Sequence, residues 1–133
     1  MAYAYDSENI FAKIIRGEIP CTKVFESDHA LAFRDITPQA DEHILVIPKG
    51  PYVTYDHFAS EASDAEIVGF TRAISTVCQD LGITPGADGQ GYRMISNAGM
   101  SGVQEVPHLH VHILSRAGSL GRMLSQSVRP NGA

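Results

Sequence analysis

The spacing of hydrophobic positions changes several times along the chain, and each change marks an element. Between Asp6 and Gly17, in DSENIFAKIIRG, the residues Ile10, Phe11, Ile14 and Ile15 fall on one face at helical spacing. Asp6 or Ser7 is placed to cap this short helix, and Gly17 to end it. Pro20 then breaks the chain. The runs TKVFES, HALAFRD and HILVIP are short and rich in β-branched and aromatic residues, with turn residues in SD and ITPQADE between them, so they predict three consecutive antiparallel strands. From Ser63 to Leu81 the period lengthens: Ile67, Phe70, Ile74, Val77, Cys78 and Leu81 form the apolar stripe of a long helix. Ser63 and Glu66 carry its capping-box signature. The glycine-rich TPGADGQG leads into a strand at YRMIS, and NAGMSGVQ leads into another at EVPHLHVHIL. Beyond Leu114 the polar SRAGSLGRMLSQSVRPNGA predicts a loosely held tail. Five strands with one long and one short helix, in this order, predict an α+β fold with a mainly antiparallel sheet.

Length and charge narrow the picture. With 133 residues, 44% of them hydrophobic, the chain suits a single domain spanning 1–133, with its core over 8–115 and the tail over 116–133. A formal net charge of -5 argues against a general binder of nucleic acid or anionic membrane, which would need excess Lys and Arg; any phosphate must be gripped locally. MAYAYDSENIF lacks the basic flank and apolar run of a secretory signal, and no apolar stretch is long enough to span a bilayer. Cys21 and Cys78 show no metal-type or redox-type spacing, which fits free thiols in a reducing cytoplasm.

The unusual chemistry lies in HLHVH, where His108, His110 and His112 occupy every second position of an expected strand. Same-face neighbours on a strand are about 6.5–7 Å apart, so His108 and His112 stand about 13 Å apart along the backbone. Two of the three could share a metal. A tetrahedral zinc site with bonds of about 2.0–2.1 Å would need a further ligand from elsewhere, and His43 is the candidate. A lone histidine would read as a polar residue on a half-buried face. Three in strict alternation point to chemistry instead, because imidazole is poor filler and a good nucleophile, base and donor.

QEVPHLHVHIL resembles the defining motif of the histidine triad family of nucleotide-binding hydrolases and transferases. IFAKIIRGEIP, AFRDITPQADEHILVIPK and GYRMISNAG are similar to that family's other signature segments, in the same order. Together they cover most of the chain from Ile10 to Leu114 and resemble most the Hint-like branch, which hydrolyses nucleoside 5′-phosphoramidates. The resemblance implies a HIT-like fold, a purine nucleotide (AMP-like) substrate, no cofactor, and a homodimer formed across the long helix and a sheet edge. It makes His110 the nucleophile that is transiently nucleotidylated, His112 the residue that contacts phosphate and assists the leaving group, and His108 an orienting residue, with His43 packed in support. Asp35 matches the acid that grips the ribose hydroxyls, and Asn97 a phosphate-side residue. Phe11, Ile14, Ile19, Phe33 and Ile36 match the nucleobase cleft, although pattern alone would make them core. Gln104 and Val106 belong to the nucleotide-binding set through the Gln-x-Val that precedes the triad. Hydrolysis or transfer on dinucleoside polyphosphates, as in neighbouring branches, and a nucleotide-binding regulator with little catalysis are the alternatives.

The chain also departs from the pattern. Glu105 stands where many Hint-like proteins have Ser or Thr in contact with phosphate, and a carboxylate there would repel. The usual double glycine before Gln104 is Gly102-Val103. The Cys-x-x-Cys that helps some bacterial relatives bind structural zinc is replaced by Asn9 and Ala12. No metal is therefore expected.

Overall fold

The computed structural model describes residues 3–123. In chain order it contains α1 (Ile10–Ile15), β1 (Lys23–Glu26), β2 (Ala30–Arg34), β3 (Glu42–Pro48), α2 (Tyr55–Glu61), α3 (Asp64–Asp80), a 3-10 turn at Pro85–Ala87, β4 (Arg93–Ile95) and β5 (Val111–Ser115). The five strands form one sheet in the order β1-β2-β3-β5-β4, with every neighbouring pair antiparallel. The α+β class and the antiparallel sheet are as the pattern predicts.

The inner strands read as nearly unbroken apolar runs because both faces of the sheet are covered. On β2 and β3, Ala30, Ala32, Ile44 and Val46 face α3, which buries Phe70, Ala73, Val77 and Cys78 against them. The alternate residues Leu31, Phe33, Leu45 and Ile47 face the other way and pack with Phe11 of α1. On β5, Val111 and Ile113 join the α3 side, so the pleat turns His112, paired opposite Leu45, toward the α1 side. That alternation sends the chemistry to one face and the larger core to the other.

Caps and boundaries refine the expectation. Ser63 and Glu66 form the full capping box of α3. The cap of α1 is Asn9, not Asp6 or Ser7: the Asn9 side chain accepts from the Ala12 N–H at 2.9 Å, while the Asp6 carbonyl receives the Asn9 amide. Gly17 ends α1 with φ of 80°, which glycine adopts without steric cost. The structure adds α2, which the pattern did not announce, because only His57 and Phe58 of its seven residues are buried. β5 starts at Val111, later than the sequence suggested, so His108 and His110 precede the ladder in an extended arm. The expected loose tail over 116–133 lies partly outside the described residues. Within them, Arg93 donates to the Gly121 carbonyl at 2.6 Å.

Candidate active site

The extended arm is anchored on both sides. The Leu109 N–H donates to the Tyr52 carbonyl at 2.8 Å, and the His110 carbonyl accepts from the Ser96 hydroxyl at 3.2 Å. The Tyr52 hydroxyl in turn donates to Glu66, the capping residue of α3, so the long helix braces the arm. Phe11 lies edge-on to His110, with ring centroids 5.0 Å apart, and holds that imidazole against the sheet.

Hydrogen bonds settle the tautomers. A carbonyl can only accept, so His110 must carry its proton on Nδ1, which meets the His108 carbonyl at 2.7 Å. Its Nε2 keeps a free lone pair. His43 Nδ1 accepts from the Gln39 N–H at 3.1 Å, so its proton sits on Nε2 and is donated to His112 Nδ1 at 2.9 Å. His112 is left with its proton on Nε2, as a donor. His108 is fully buried and donates from Nε2 to the Pro48 carbonyl at 2.8 Å. One motif thus holds a lone-pair bearer at His110 and a proton bearer at His112.

Burial keeps these rings neutral. It lowers His108 to about 4, with the neighbouring His110 adding to the effect against the Pro48 bond. Burial likewise lowers His112 to about 4, helped by His110 and His43. His110 is lowered chiefly by burial, while its bond to the His108 carbonyl and the charges of Asp35 and Glu105 pull the other way. His43 is lowered by burial against the attraction of Asp35.

His110 and His112 open onto a cleft of about 230 Å³ that also takes in Asn97, Asp35 and Glu105. Through Phe11, Asp35 and Val106 this cleft runs into a second cavity of about 330 Å³ lined by Ile14, Ile19, Phe33 and Ile36. The polar triad end and the apolar end are therefore parts of one trough with Asp35 at the junction. One oxygen of Asp35 accepts from the Thr37 N–H and hydroxyl, at 2.8 and 3.1 Å, and the other lies 3.4 Å from His43 Nε2.

Most residues expected at the site converge there, with two qualifications. His108 is sealed behind the cleft and meets no solvent. His43 is buried beside the cleft with its Nε2 against His112 Nδ1. Gln104 uses its amide within the loop: Nε2 donates to the Val53 and Val106 carbonyls and Oε1 accepts from the Gly99 N–H. It shapes the loop carrying Glu105 and Val106. Residues that sequence reasoning missed are Tyr5, whose hydroxyl meets His108, and Thr37 and Gln39, which orient Asp35 and His43. The Thr two residues after Asp35 was the available signal for an Asx turn. Metal-type donors also meet beside the cleft: Asp35, His43 and His112 each bring one ligand atom within 4.8 Å of the others, His43 as the spacing argument allowed and Asp35 in addition.

Comparison with known proteins places this geometry among relatives. A family model described as HIT domain matches residues 16–119. The chain is 52% identical over 126 residues to a 13.2 kDa HIT-like protein of Azospirillum brasilense, covering 95% of this chain and 99% of that one. Its fold is similar to a HIT family hydrolase from Legionella pneumophila, with a TM-score of 0.66 at 36% identity over 88% of this chain and 96% of that one. It is also similar to a histidine triad nucleotide-binding protein from Candida albicans, with a TM-score of 0.71 at 27% identity over 92% and 87%.

Proposed function

Since the chain belongs to the histidine triad family, we propose that it is a cytoplasmic hydrolase of purine nucleoside 5′-phosphoramidates. It acts through a nucleotidyl-histidine intermediate and releases an AMP-like nucleoside monophosphate. The observation that carries this reading is the free lone pair of His110 Nε2 at the polar end of a trough whose other end is apolar. The similarity to a HIT family hydrolase and to a histidine triad nucleotide-binding protein supports it.

In the first step His110 Nε2 attacks the α-phosphorus, and the substrate phosphorus–nitrogen bond breaks. The departing amine takes a proton from solvent, while the His112 Nε2–H, which His43 has left in the donor position, hydrogen-bonds the leaving nitrogen and the phosphoryl oxygen. Water then adds its oxygen to phosphorus and releases one proton to solvent, cleaving the bond to His110, which recovers its Nε2 lone pair. Burial favours both roles by keeping the rings neutral, so that His110 retains the lone pair that attacks and His112 the single N–H that His43 orients. Asp35 takes the ribose hydroxyls, the apolar end takes the base, and Asn97 reaches the phosphate. The exposed Glu105 carboxylate is free to turn away from that phosphate.

The reaction needs no metal. An ion on Asp35, His43 and His112 would displace the proton shared by His43 and His112 and occupy the sugar acid as well. Among the described residues no helix is long and apolar enough to cross a membrane. A second copy of the chain is the expected partner.

Mass spectrometry of enzyme quenched during turnover of an adenosine phosphoramidate, with chelator present, tests the scheme. The expected result is one nucleotidyl group on His110, absent in His110→Ala and formed slowly in His112→Ala. An adduct on another side chain, a requirement for metal, or turnover of phosphoanhydride substrates alone would overturn it.

A further inference from the structure

The segment before α1 reaches the triad from behind. Tyr5 lies on it, four residues before the Asn9 cap, and brings its hydroxyl to within 2.6 Å of His108 Nδ1, with the two rings edge to face at 5.6 Å. The roles in this contact are fixed by the other side of the ring. His108 Nε2 must donate to the Pro48 carbonyl, so Nδ1 holds a lone pair in a ring with no exposure to water. A buried acceptor left unpaired is costly, and the Tyr5 O–H satisfies it. The carbonyl of the same residue receives the Nδ1 proton of His110 at 2.7 Å. The proposed nucleophile is therefore aimed by a residue whose side chain is held by Tyr5 and Pro48.

We infer that Tyr5 is a positioning residue: its hydroxyl locks His108 in one tautomer and orientation, and the His108 carbonyl in turn aims Nε2 of His110 at phosphorus. This rests on the hydrolytic reading above. Burial also raises Tyr5 above the ordinary tyrosine range, so the phenol keeps the proton this role requires at neutral pH. Tyr3, on the same segment, serves as a control, because it stacks on His57 and donates to the exposed Asp56.

The test compares Tyr5→Phe, Tyr3→Phe and wild type by three readouts: the rate of His110 adduct formation, the Kd for AMP, and the ring 15N spectrum of His108. Loss of one hydrogen bond acting through a neighbour should slow adduct formation in Tyr5→Phe by about tenfold, with AMP affinity unchanged. The His108 Nδ1 resonance should move as its donor is lost. Tyr3→Phe should match wild type in all three. The inference is overturned by a wild-type rate in Tyr5→Phe, by an equal loss in Tyr3→Phe, or by a defect seen only as weaker AMP binding. Absence of any adduct on wild-type His110 would sink the hydrolase reading itself. The 15N spectrum decides the Tyr5 contact separately, since an unchanged His108 ring in Tyr5→Phe removes the lock whatever the turnover.

Discussion

His108 and His112 are held to about 4 against an ordinary value of 6.5, which couples folding to pH. Between those values the unfolded chain binds protons that the folded chain refuses, so the two rings contribute their full stability above pH 6.5 and lose it progressively as pH falls toward 4. The midpoint of urea unfolding should fall across that window, and replacing His112 with Gln should flatten the slope. Asp35 makes a second prediction at this scale. If its carboxylate accepts from both ribose hydroxyls, Asp35→Ala should weaken AMP binding by about 1.5–3 kcal/mol and weaken 2′-deoxy-AMP binding less, as read by calorimetry. Equal losses on the two sugars would remove Asp35 from that role. The triad, Asp35 and His43 were legible in the sequence through spacing and resemblance. Tyr5 was not, because nothing in its neighbourhood in the chain indicates that its hydroxyl ends 103 residues away at His108.

Among the elements, the loop between β4 and the histidine arm carries the clearest local conflict. A Cβ at Gly102 would sit 2.7 Å from the Ala98 backbone nitrogen, so the first glycine of the family pair is required by space. The second has become Val103, held at φ of 54° although a β-branched residue disfavours the left-handed region. Val103→Gly should therefore stabilise the protein by about 1 kcal/mol in urea unfolding, whereas Gly102→Ala should destabilise it by forcing backbone apart. No gain from Val103→Gly would mean that the 71% exposed valine is not strained as its backbone angle implies. The long helix was legible from its capping box and apolar stripe, whereas α2 was not. Its cap, Thr54, accepts from the His57 N–H, but two buried positions in one short helix show no period.

For the whole molecule, the far side of the sheet from the triad offers a surface for a second copy. Val68 on α3 is 49% exposed and Met94 on the edge strand β4 is 55% exposed. A groove of about 290 Å³, lined in part by Phe70, Ile74 and Met94, lies between the two elements. An edge strand with apolar residues beside an apolar helix face is what a twofold pairing would cover. Met94→Asp should shift the protein to a monomer in light scattering, and a wild type already monomeric at micromolar concentration would rule the pairing out. Because β5 lies between β4 and β3 and leads directly from the histidine arm, loss of pairing should also lower the rate of adduct formation.

What the sequence determined by itself was local or periodic: the strands, the capped long helix, the α+β class and the alternation of the three histidines. Each depends on residues near one another in the chain, where spacing converts directly into a shared face or a cap. Only the tertiary structure decided which tautomer each imidazole carries, because the partners that fix it are Pro48, Gln39 and His43, brought in from other elements. It alone decided that Gln104 serves the loop, that Asp35, His43 and His112 stand together, and that Tyr5 closes the triad from behind. A hydrogen bond or a ligand set requires atoms within a few ångströms, and for residues far apart in the chain only the folded sheet supplies that distance.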